Sequence, residues 1–88
     1  MQMPKIVSKV VTEEIHHRVV TFKARDSSAG NEYSIRVLFS DIGISTGIYP
    51  TNDKELVEYA EDALALRCAN AKCQADISEI RLNTSNEL

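Results

Sequence analysis

The residues able to do chemistry in this 88-residue chain fall into a few patterns. Gly43-Ile44-Ser45-Thr46-Gly47 has the G-x-S-x-G spacing of a nucleophile elbow. That motif works when a strained strand-to-helix turn lifts the serine beside an oxyanion hole, with a histidine later in the chain to take its proton. Both histidines here, His16 and His17, lie upstream, and Pro50 separates the motif from the helical pattern that follows. The same loop could hold a phosphate on its backbone N–H groups, but it lacks the Walker lysine and opens into no helix directly. The expected role of 41–51 is therefore a loop tethered to the body by Ile42, Ile44, Ile48 and Tyr49.

His16 and His17 are adjacent, so on a strand they point to opposite faces and cannot chelate one metal together. Cys68 and Cys73 are five apart in a helical segment. That spacing turns them about 140° around the axis, against an intrahelical disulfide. Two free thiols are expected, and Cys-x4-Cys with two distant histidines is a poor zinc set. The sequence predicts no catalytic residues, no metal and no cofactor.

Charge is the more informative property. The net charge is −3. Residues 1–40 carry six basic against four acidic side chains, net +2, and residues 41–88 carry four against nine, net −5. Lys9, Arg18, Lys23, Arg25 and Arg36 could line one face of a sheet, with Phe22 or Tyr33 able to stack a base. That would make a single-strand nucleic-acid surface. The negative total argues against it, so nucleic-acid binding is the alternative expectation. Glu55, Glu58, Glu61 and Asp62 form an acidic helix face that could dock on a protein partner.

The elements that must position these groups follow from periodicity. Lys5–Thr12 and Ile15–Arg25 are rich in β-branched residues, with Thr12-Glu13-Glu14 as a turn or bulge between them. Asp26–Asn31 is a turn cluster of hairpin length. Glu32–Ser40 alternates, Tyr33, Ile35, Val37 and Phe39 on one face and Ser34, Arg36, Leu38 and Ser40 on the other. Asn52 offers an N-cap with Glu55 at the capping-box position. Leu56, Val57, Ala60, Ala63, Leu64, Arg67, Cys68 and Ala71 then recur at helical spacing over 53–73. A short returning strand is expected over 76–83, with Ile80 and Leu82 on one face and Ile77 on the other, then a frayed tail at 84–88.

The pattern predicts an α+β fold of one domain over 1–88: two-layer β-β-β-α-β, a mostly antiparallel four-stranded sheet with one amphipathic helix on one face. No run approaches the roughly 20 apolar residues needed to cross a bilayer. Met1–Val11 is no signal peptide, and Asn83-Thr84-Ser85 reads as a chance glycosylation match. A cytoplasmic protein is expected. With no catalytic constellation, the expected function is a non-catalytic protein-binding module. It would be a regulator, adaptor or inhibitor, of a size common among phage and mobile-element proteins. It would act through the acidic helix face or an exposed strand edge, which could also pair two copies into a homodimer.

Overall fold

The strand signals give four strands, and the way the first two connect sets the register of the sheet. The computed structural model describes residues 5–25, 30–70 and 78–82, without the side chains of 68–70. The elements are β1 (Lys5–Glu14), β2 (His17–Arg25), β3 (Glu32–Ser40), α1 (Asp41–Ser45), α2 (Asp53–Asn70) and β4 (Glu79–Leu82). They make one sheet in the order β1-β2-β3-β4, antiparallel across its first two pairings and parallel between β3 and β4. This is the predicted α+β arrangement.

Two boundaries differ from expectation. Glu13 and Glu14 belong to β1, and the turn is Ile15-His16, closed by the pair Glu14↔His17. A two-residue hairpin turn takes a positive φ, ordinarily signalled by glycine or asparagine. Here His16 adopts it, with φ 65°. The His16 carbonyl accepts from the Asp41 amide at 3.0 Å, and His17 Nδ1 lies 3.0 Å from the Ile15 carbonyl. The histidines are thus a turn residue and a strand-start residue, not strand neighbours on opposite faces.

The 41–51 segment is also more regular than a loop. Asp41–Ser45 is a short helix whose N-cap, Ser40, accepts from the Gly43 amide at 3.1 Å. It ends in a Schellman motif: Gly47 at φ 84° donates to Ile44, and the Ile48 amide donates to Gly43 at 2.8 Å. Two glycines in five residues hid this helix from a periodicity reading. Of its expected anchors, Tyr49 is buried and Ile44 packs against the core, but Ile42 and Ile48 are exposed.

The core lies between the sheet and α2. It joins Val20, Phe22, Ala24, Ile35, Val37, Phe39 and Ile80 from the strands to Tyr49 and to Leu56, Ala60 and Leu64 of α2. These three α2 residues are spaced i, i+4, i+8, a stripe of one residue per turn. Phe39, Tyr49 and Tyr59 form a mutual edge-to-face trio with centroids 5.3–5.8 Å apart. Arg67 is exposed where the helical spacing placed it with the core. Ala71, Cys73, Ile77 and the 84–88 tail lie outside the described residues, as does the side chain of Cys68.

Candidate functional site

Register decides which side chains can act together, because residues paired across neighbouring strands share a face. On the side covered by α2 stand Lys9, Val11 and Glu13 of β1 and Arg18, Val20 and Phe22 of β2. On the opposite side stand Lys23, Arg25, Arg36 and Arg81. The five basic residues predicted to share one face are therefore divided. Lys9 and Arg18 point to the helix side, and only Lys23, Arg25 and Arg36 share the open side.

Most of these cations are also engaged. Lys9 pairs with Glu61 of α2. Arg18 donates to the Thr51 carbonyl at 2.8 Å and pairs with Asp53, tying β2 to the start of α2. Arg25 pairs with Glu32 at 2.7 Å. Arg36 pairs with Glu14 and lies 3.9 Å from Glu79, which itself holds Arg81 at 2.9 Å. Among the five, Lys23 alone has no ion pair among the described residues.

The Arg36–Glu14 pair explains an otherwise odd burial. Val19 and Leu38 face away from α2, yet they are 0% and 4% exposed. Arg36 on β3 and Glu14 on β1 stand two strands apart, and the line between them crosses β2 at Val19. The pair straps that row, its aliphatic stems shielding the apolar centre of the open face.

The acidic helix face is narrower than predicted. Glu55, Glu58 and Asp62 are exposed and make no ion pair among the described residues. Glu61 sits on the flank, half-buried against Lys9. Asn52 Oδ1 accepts from the Lys54 and Glu55 amides at 2.9 and 3.2 Å, so the predicted N-cap is present. Tyr59 and Leu66 flank the opposite side of α2. With Asp62, Ala63 and Leu82 they line an open groove of about 260 Å³. That is smaller than the roughly 300–1,000 Å³ usual for ligand pockets, and among its described lining residues Asp62 alone is charged.

Ser45 is not poised as a nucleophile. It sits at the end of α1, and its hydroxyl donates to the Ile42 carbonyl at 3.1 Å. Among the described residues no group of three or more His, Cys, Asp or Glu side chains could hold a metal ion. No helix there is long and apolar enough to cross a membrane.

The edge of β1 is the feature that residue patterns only hinted at. A bulge interrupts the strand between Ile6 and Ser8, and Ser8–Glu14 then pairs regularly with β2. Glu14↔His17 closes a two-residue turn, so it is a mutually hydrogen-bonded pair, and bonded pairs alternate from there. Thr12, Val10 and Ser8 direct their backbone groups into the sheet, whereas those of Glu13, Val11 and Lys9 face outward. The same alternation carried across the sheet makes His16–Asp41 and Arg36–Ser78 bonded, as observed. Beside this open row, Val10 is 51% exposed. The two strands that set it were legible in the sequence, but their pairing depended on the Ile15-His16 turn, which was not.

Neither a known protein family, nor a curated protein, nor a solved structure matches the chain.

Proposed function

We propose that this chain is a small, non-catalytic, cytoplasmic protein-binding module that works through the outer edge of β1. One observation carries the reading. Lys9, Val11 and Glu13 present backbone donors and acceptors that have no partner among the described residues, along a regular strand next to the exposed Val10. Such an edge recruits an extended segment by strand addition, with backbone bonds supplying affinity and alternate side chains selectivity. A regulator, adaptor or inhibitor acts in this way by occupying a partner's strand or edge, a mode available to small phage-type proteins. The exposed acids Glu55, Glu58 and Asp62 offer α2 as a second surface.

The two surfaces are separable by mutation. Val11→Pro removes an outward N–H without touching the β1–β2 ladder, because proline is tolerated on an edge strand when its missing donor faces solvent. Glu58→Lys reverses charge on the outer face of α2. Proteins retained from a lysate of the source cell by the wild type should be lost with Val11→Pro and kept with Glu58→Lys. The opposite pattern would transfer the function to α2, and retention by both variants would exclude both surfaces.

A further inference from the structure

The outward row of β1 is complementary to itself. For two copies to join their sheets edge to edge about a two-fold axis, paired residues must stand on the same face and present outward backbone groups. Lys9, Val11 and Glu13 satisfy both conditions. Antiparallel pairing centred on Val11 sets Val11 against Val11, and Lys9 of each copy against Glu13 of the other. Centring on Lys9 or on Glu13 would oppose like charges. Centring on Val10 or on Thr12 would carry an outward residue into the bulge or the Ile15-His16 turn. Only the Val11 register engages all three outward residues with opposite charges facing.

We infer that the β1 edge pairs antiparallel with a second copy of this chain, on a two-fold axis through Val11, with reciprocal Lys9–Glu13 pairs. The inference rests on the edge reading above and names its occupant. Charge complementarity is its main support: Glu13 has no ion pair among the described residues, and Lys9, on the same face, pairs with Glu61 at the flank of α2. In the pair, Lys9 bridges Glu61 of its own copy and Glu13 of the other. Val10, exposed on the open side, falls opposite Thr12 as a close pair of β-branched residues. The bulge at Val7 and the turn at Ile15-His16 bound the interface at both ends, which holds assembly at two copies instead of a growing sheet.

Charge reversal tests the register directly. Glu13→Lys sets two ammonium groups face to face at each end of the interface, and Lys9→Glu sets two carboxylates there. Each variant should therefore weaken self-association by roughly tenfold or more, read by sedimentation equilibrium. Mixed together, the two variants regain complementary pairs at both positions and should form a heterodimer of wild-type affinity. Val11→Pro should be monomeric while keeping the wild-type circular dichroism spectrum, with a melting midpoint that no longer rises with protein concentration. If it unfolds, the mixing experiment decides alone. A wild type that stays monomeric at its highest soluble concentration overturns the second copy but leaves the edge open to another partner, as the lysate experiment would show. A wild-type dimer indifferent to both charge reversals, or variants that do not recombine, overturns this interface.

Discussion

At Gly43 the backbone of α1 runs against the ring of Tyr49: a Cβ built there would collide with Cε2 and Cδ2 of that ring. Tyr49 is buried within the aromatic trio, so the ring has little room to yield. Gly43→Ala should cost about 1–3 kcal/mol in a urea unfolding experiment. An unchanged midpoint would mean that Tyr49 is seated elsewhere. Glu32 is a second residue-scale case. The hydrogen bond from Arg25, aided by the Arg25 and Lys23 charges and opposed by slight desolvation, holds its carboxyl below the usual range. A folded value below the unfolded one means that the pair stabilises the fold above the ordinary carboxylate pKa. That contribution disappears as pH falls through the lowered folded value. An NMR titration should show the Glu32 carboxylate ionising at lower pH in the wild type than in Arg25→Gln. Identical curves would remove Arg25 as the cause.

Among the elements, α2 was the most legible because three local signals agree: a cap, acids in the first turn and apolar residues at helical spacing. Asn52→Ala removes an acceptor for two otherwise orphaned amides and should cost about 1 kcal/mol, measured as a shift of the thermal midpoint. No shift would mean that water replaces the side chain. β3 was equally legible from its alternation, and its predicted faces are the observed ones. The hairpin before it was legible as a pair of strands but not in its turn, since no glycine or asparagine marks Ile15-His16. That error moved the end of β1 by two residues, which keeps the alternation of its faces but misplaces the turn and the pairing register with β2. The α1 helix was missed for a related reason: its cap, Ser40, also ends the alternation of β3, its Schellman motif is a backbone arrangement, and Gly43 and Gly47 argue locally for a loop.

For the molecule as a whole, the stability of a chain this short hangs on one core shared by both layers. Leu64 is fully buried within it. Leu64→Asp places an unpaired charge there and should destabilise the protein by at least about 3 kcal/mol, abolishing a cooperative melt at ambient temperature. A wild-type melt would show that α2 packs on a different face. By itself the sequence determined the class and order of the four strands and α2, and the α+β layering. It also set the residues that become the core and the polarity of the two halves. These follow from local propensity and periodicity, which act over a few residues and are written in the chain. Tertiary structure alone decided how charges were used and which surfaces were left. It sent Lys9 and Arg18 to the helix side, strapped Arg36 to Glu14 over Val19, and drew Glu61 away from the acidic face. It also turned the backbone of Lys9, Val11 and Glu13 outward on an open edge. The physical reason is that ion pairing and strand register depend on neighbours distant in the chain, and a shift of one residue in a turn reverses every face that follows it.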